Sequence, residues 1–221
     1  MTRTAITTRM SLKAVIFDVD GVIIDSKRAN GEFYARLLHQ AGYMDVSPEA
    51  IDACFHLPLI QSLERLTGRK DPEEIKRIWQ LERDRGLYPK ELLDYPKSLM
   101  PTLTELRKKY KLAIVTSRIK EGVQIMYEAT GTDGLFDVVI SFDDYTHPKP
   151  SPESLLIALQ RLGIEPREAV YVGDSHVDVE AAQAAGIWSI HVAPKKHDDA
   201  TVGITSFDGV LAAVRQIATK S

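Results

Sequence analysis

Residues 14–26 read "AVIFDVDGVIIDS". An apolar run enters Asp18, a second carboxylate follows at Asp20, and Gly21 comes next. Carboxylates this close repel, and neither is cheaply buried without a partner. The stretch reads as a buried strand delivering two acids to one place. A compensating cation, most simply a metal ion, is then expected, with its other ligands elsewhere in the chain.

Four more apolar runs resemble the one that ends at Asp18: "LAIVTS" at 112–117, "FDVVIS" at 136–141, "AVYVGD" at 169–174 and "WSIHVA" at 188–193. With "KAVIFD" at 13–18 they are short, rich in Val and Ile, and apolar on both faces, as strands of a covered parallel sheet are. Helix-like segments lie between them. "SPESLLIALQRLG" opens on Ser151-Pro152 and stops at Gly163, and "DVEAAQAAG" stops at Gly186. The alternation predicts a doubly wound, Rossmann-like α/β fold.

Residues 27–94 break the alternation. "ANGEFYARLLHQAG", "SPEAIDACF", "PLIQSLERLTG" and "DPEEIKRIWQLERDRG" all read as helices, the last with Asp71-Pro72 at its start and Glu73 and Glu74 in its first turn. The expected organisation is a core of residues 1–26 and 95–221 with a helical domain, 27–94, inserted after the first strand. Hinges are expected near 25–28 and 88–96.

The chain's 221 residues fit this plan. A net charge of -3 gives no basic field to hold nucleic acid, and no apolar run is long enough to span a bilayer. The single cysteine, Cys54, excludes an internal disulfide and suits a cytoplasmic protein. "MTRTAITTRMS" has no apolar signal core and reads as a frayed tail.

Ligands of open α/β sheets bind outside the carboxyl ends of the strands. The residues expected there are Asp18 and Asp20, Thr116 and Ser117, Lys149 within "DDYTHPKPSPE", and Asp174 and Asp178 within "VGDSHVD". Carboxylates, hydroxyls and one lysine thus converge on one edge. Asp18, Asp20 and Asp174 are suited to Mg²⁺, which favours carboxylates and water.

In this order and spacing, "DVDGV", "AIVTS", "KPSPE" and "GDSHVD" resemble the four motifs of the haloacid dehalogenase superfamily. The resemblance covers nearly the whole chain. The helical insert resembles the small cap of the subgroup containing phosphoglycolate phosphatase and β-phosphoglucomutase. It implies a Mg²⁺-dependent, phosphoglycolate phosphatase-like enzyme acting on a small phosphorylated metabolite, with a phosphomutase as the alternative. In that light Asp18 is the nucleophile that takes the phosphoryl group. Asp20 is the acid and base, with its backbone carbonyl a further metal ligand. Thr116 contacts the transferring group, Lys149 neutralises charge, and Asp174 completes the metal site. Asp178 either orients that site or reaches a metal-bound water. Amides around Val19 to Gly21 are expected to cradle phosphate, with Gly21 permitting close approach.

Two positions depart from the family pattern. Asn often follows the motif's Thr, whereas Ser117 and Arg118 follow here; Ser117 is expected as a substitute donor, and Arg118 either contacts a substrate anion or faces solvent. Lys97 stands in "YPKS" where Gly is usual, which bears on the hinge. A dehalogenase would not normally keep Asp20, and a phosphorylated receiver domain would carry its aspartate after a central strand of a much shorter chain.

Other residues have plainer readings. Asp25 or Ser26 is expected to cap the first inserted helix. Asp143 and Asp144 read as loop residues. His39, His56, His147, His176, His191 and His197 show no paired spacing of the kind that binds a transition metal. Trp79 and Cys54 read as core residues, and "PKKHDD" at 194–199 as a surface loop. Specificity is expected from the insert, around "FHLPLIQS" at 55–62.

Overall fold

The computed structural model describes residues 11–55 and 57–220; residues 1–10 of the N-terminal tail, the histidine at 56 and residue 221 lie outside the described residues. Six strands form one parallel sheet: β1 (Ala14–Phe17), β2 (Lys111–Val115), β3 (Val138–Ile140), β4 (Ala169–Gly173), β5 (Trp188–Val192) and β6 (Val202–Ile204). Their order is β3-β2-β1-β4-β5-β6. Five match the expected runs. The sixth, at the edge, is three residues with Gly203 at its centre, too short and too weak in strand preference to read from sequence.

Alternation along β1 divides the core. Val15 and Phe17 join one apolar cluster with α5 (Leu99–Arg107), α6 (Lys120–Thr130) and α9 (Val210–Ala218). Ala14 and Ile16 join another with α7 (Glu153–Leu162) and α8 (His176–Ala185). All four β1 residues are buried. A central strand covered on both faces must be apolar on both, which is why the run quoted at the outset has no polar residue before Asp18.

The inserted segment forms α1 (Lys27–Gln40), α2 (Pro48–Asp52), α3 (Leu59–Thr67) and α4 (Pro72–Arg85). Ser47 caps α2, Asp71 caps α4, and Gly68 and Gly86 end α3 and α4 with positive φ. These helices share an apolar cluster that includes Phe33, Leu37, Leu63 and Ile78, separate from the two clusters against the sheet. The two connecting strands of chain pair with each other: the Asp25 amide donates to the Asp94 carbonyl at 2.8 Å, and the Asp94 amide to the Asp25 carbonyl at 3.2 Å. The expected hinges at 25–28 and 88–96 are thus neighbours in space.

Candidate active site

The site begins where β1 and β4 end side by side, the point at which the connections diverge to opposite sides of the sheet. The Asp18 amide donates to the Val172 carbonyl at 2.9 Å, so sheet pairing continues through the residue that carries the acid. Asp18 Oδ1 accepts from the Val19 amide at 2.7 Å, and Oδ2 from Lys149 Nζ at 2.8 Å. The same ammonium reaches Asp178 Oδ1 at 2.6 Å and Tyr171 Oη at 2.9 Å. Three acceptors meet three donor protons. Asp178, near the start of α8, also accepts from the Ser175 amide at 3.1 Å.

Charge and burial act together here. Burial pushes the Asp18 carboxyl up to about 7; Lys149 opposes the shift, and Asp178 and Asp20 add to it. Burial works against ionising Asp178, yet Lys149 and Ser175 hold it below the usual range. Lys149 loses solvation, but Asp178 and Asp18 outweigh that loss and keep it firmly protonated.

Asp174 is different. No described group hydrogen-bonds or ion-pairs with its carboxylate. Burial first, then the charges of Asp178, Asp18 and Asp20, push it up to about 8. Its backbone is fixed instead. His191 Nδ1 accepts from the His197 amide at 3.0 Å, so Nε2 carries the proton and donates to the Asp174 carbonyl at 3.0 Å.

Asp18, Asp174 and Asp178 each offer a carboxylate oxygen, all within 4.8 Å of one another. The four aspartates of the site meet two cations, Lys149 and Arg118. Two negative charges remain, centred on an acid with no partner. One divalent cation balances them, so the residues present fit such an ion.

Asp20 belongs to a second cluster. Arg118 grips it from two directions, Nε to Oδ2 at 2.8 Å and Nη2 to Oδ1 at 2.6 Å, and Ser26 Oγ donates to Oδ1. Arg118 Nη2 also meets Tyr88 Oη at 3.1 Å, and Tyr88 donates to Asn30 Oδ1 at 2.8 Å. Burial opposes ionisation of Asp20, but the guanidinium and Ser26 hold its carboxyl below the usual range.

Several expectations change. Of the two caps expected for α1, Asp25 Oδ1 accepts from the Lys27 amide at 3.2 Å, whereas Ser26, at the N-cap position, makes no cap hydrogen bond; it is buried and given to Asp20. The Asp20 carboxylate lies outside the metal-suited triad, because Arg118 and Ser26 hold it. Arg118 neither faces solvent nor offers a free charge. Thr116 is fully buried behind the cavity wall, its Oγ1 accepting from the Arg118 amide at 3.2 Å, while Ser117 does line the cavity. The Val19 and Gly21 amides are already bonded, to Asp18 Oδ1 and to the Ile24 carbonyl. Gly21 matters for another reason. Its φ is +71°, and a Cβ there would stand 1.9 Å from Asp174 Oδ2. Only glycine lets the Asp174 carboxylate lie against this turn.

Tyr171, Tyr88, Asn30 and His191 were not singled out from the sequence. Tyr171 carried a signal: a hydroxyl inside a wholly apolar strand must find partners. Asn30 and Tyr88 carried none, since their meeting depends on how the insert folds. Asp143 and Asp144 are structural, accepting from the Lys120 amide at 2.8 Å and the Ser141 amide at 3.0 Å. Cys54 is buried, and Trp79 packs at the edge of the insert's core and lines the cavity.

A cavity of about 560 Å³ opens over these groups, between the sheet edge and the insert. Asp18, Asp20, Lys149 and Asp174 lie at its floor; Phe33, Tyr34, Leu57 and Trp79 form much of its roof.

The sequence model of the haloacid dehalogenase-like hydrolases matches residues 15–192. A pyrophosphatase, PpaX, of Bacillus velezensis is 33% identical over 181 residues, 81% of this chain and 82% of that protein. The crystal structure of a subfamily IA hydrolase of the superfamily from Geobacter sulfurreducens is 30% identical with a TM-score of 0.75, covering 92% of this chain and all of that one. A β-phosphoglucomutase from Clostridium difficile shares the fold at 19% identity, with a TM-score of 0.80 over 95% of this chain and 98% of that one. The chain belongs to the haloacid dehalogenase-like hydrolases and is an enzyme of their phosphatase class.

Proposed function

We propose that this enzyme is a Mg²⁺-dependent phosphatase that hydrolyses a small phosphorylated metabolite through an aspartyl-phosphate on Asp18. The carrying observation is the convergence of Asp18, Asp174 and Asp178 within 4.8 Å beside Lys149, which leaves a deficit of positive charge at one strand end.

In the first step an Asp18 carboxylate oxygen bonds to phosphorus while the bond from phosphorus to the alcohol oxygen breaks. The electron pair leaves on that oxygen, which takes a proton from Asp20. In the second step a water oxygen attacks the same phosphorus and gives its proton to Asp20. The bond to Asp18 breaks, and inorganic phosphate leaves. Lys149 stabilises the charge gathered on the phosphoryl oxygens, and Asp178 and Tyr171 hold its ammonium in place. The Ser117 hydroxyl, on the cavity wall, is the nearest replacement for the contact expected of Thr116. Mg²⁺ held by Asp18 and Asp174, with Asp178 alongside, supplies the positive charge that lets one anion approach another.

Asp20 can trade protons with substrate only after Arg118 releases it. Tyr88 and Asn30 link Arg118 to the inserted helices, so a shift of the insert frees or recaptures the acid.

The test is phosphate release with Mg²⁺, with EDTA, and by Asp18→Asn. Turnover is expected to stop in EDTA and to fall about 10⁴-fold or more in the variant. Full activity of Asp18→Asn would falsify the reading. An isomerised sugar phosphate with little free phosphate would identify a mutase instead.

A further inference from the structure

The cavity's size and the state of its cations bear on what the phosphate is attached to. Pyrophosphate and phosphoglycolate both carry a second anionic group beyond the phosphoryl group that is transferred. A site for either needs a second cation that is free to receive it.

Among the described residues the cavity is lined by four Lys or Arg side chains, and each is already paired. Lys149 is held by Asp18 and Asp178, and Arg118 by Asp20; once it releases Asp20, Arg118 still meets Tyr88 and Asn30, so its charge stays at the floor beside the phosphoryl site and not in the outer half. Arg83 meets Glu121 at 3.0 Å, and Lys90 meets Glu128 at 2.8 Å, both across the mouth between insert and core. Glu82 lines the same space as a third acid, so the outer half holds more acids than bases. A second anion would meet repulsion there.

The walls supply the opposite chemistry. Phe33, Tyr34, Leu57 and Trp79 from the insert face Ile125 of α6 and Val177 of α8. At about 560 Å³ the cavity is the size that encloses an organic ligand of ring-system dimensions. A two-carbon phosphate or an inorganic anion would leave most of these walls wet.

We infer that the substrate is a phosphomonoester whose alcohol part is uncharged and largely apolar, of aryl or similar bulk, seated against Trp79 and Ile125. This rests on the phosphatase reading for the floor of the cavity, but its evidence lies in the walls and rim. Side chains of the insert and of the facing helix α6, not those at the strand ends, then set the preference.

The test compares 1-naphthyl phosphate with pyrophosphate and phosphoglycolate, all with Mg²⁺ and the full chain. kcat/KM for the naphthyl ester is expected to exceed both by at least tenfold. Trp79→Ala is expected to cut that ratio about tenfold. Because Trp79 also packs in the insert, Ile125→Arg provides a second arm: it adds the missing cation and should move the preference about tenfold toward pyrophosphate. Pyrophosphate or phosphoglycolate turned over as well as the naphthyl ester overturns the inference and leaves the phosphatase standing. If no compound is turned over, calorimetric titration of Asp18→Asn decides the inference alone. Tighter binding of 1-naphthyl phosphate than of pyrophosphate supports it; the reverse order overturns it.

Discussion

Two charged clusters sit side by side in this molecule and are built in opposite ways. Around Lys149, every partner is anchored at the sheet: Asp18 beyond β1, Tyr171 within β4, Asp178 at the start of α8. Around Arg118, the partners come from three places: Asp20 and Ser26 from the first connection, Asn30 from α1, and Tyr88 from the chain after α4. The first cluster draws its partners from the sheet and from the helix that follows β4. The second holds only while the insert stays where it is. On the proposed reading, one fixes the reacting groups, and the other ties the availability of Asp20 to the position of the insert.

The sharpest way to break the contrast is Lys149→Met. It leaves Asp18 and Asp178 buried without a cation, though the Val19 and Ser175 amides still donate to them, and breaking such a pair costs about 3–5 kcal/mol. Denaturant unfolding without metal should show that loss, and phosphate release should fall with it.

Arg118→Met tests the second cluster. It strands only Asp20, which is part-exposed and keeps Ser26, so a smaller loss of about 1–3 kcal/mol is expected. A loss as large as that of Lys149→Met would erase the distinction between sheet-anchored floor and movable clasp.

The pH dependence of the metal-free protein comes next. Asp18 at about 7 and Asp174 at about 8 are both raised above an ordinary value of 3.8. Between roughly pH 4 and 8 the native state therefore keeps protons that the unfolded chain has lost, and stability falls as pH rises across that window. The melting temperature in EDTA should be lower at pH 8 than at pH 6. Mg²⁺ binds the ionised carboxylates, so it should raise the melting temperature more at pH 8. A melting temperature in EDTA that rises between pH 6 and 8 would show that the acids are already compensated.

Tyr88→Phe has the smallest expected effect. It removes one hydroxyl bonded to Arg118 and Asn30, worth about 0.5–1.5 kcal/mol. A double-mutant cycle with Arg118→Met should show the two losses to be non-additive. Additive losses would mean that the clasp does not act as a unit.

The strand ends were the most legible part of the chain. Asp18, Lys149 and Asp174 could be placed together because four of the five apolar runs finish in polar residues, and a parallel sheet brings such ends to one edge. Asp178 was legible as a site residue but not in its role, since pairing with Lys149 depends on how α8 begins. Gly173 shows why: a Cβ there would stand 2.3 Å from the Asp178 Cβ, so strand end and helix start touch. Thr116 was read as the phosphoryl contact and Ser117 as a substitute donor, yet Ser117 is the one that lines the cavity, because which of two neighbours faces it depends on how the chain leaves β2.

The sequence by itself determined the doubly wound sheet, the helical insert and the gathering of acids with one lysine. Those follow from periodicity and chain order, which are local properties. The tertiary structure alone decided that Arg118 holds Asp20, that Ser26 serves the acid and not a helix, and that aromatic residues roof the site. These depend on contacts between segments far apart in the chain. Buried charges take whichever partner the packing brings within reach, and no local pattern records that choice.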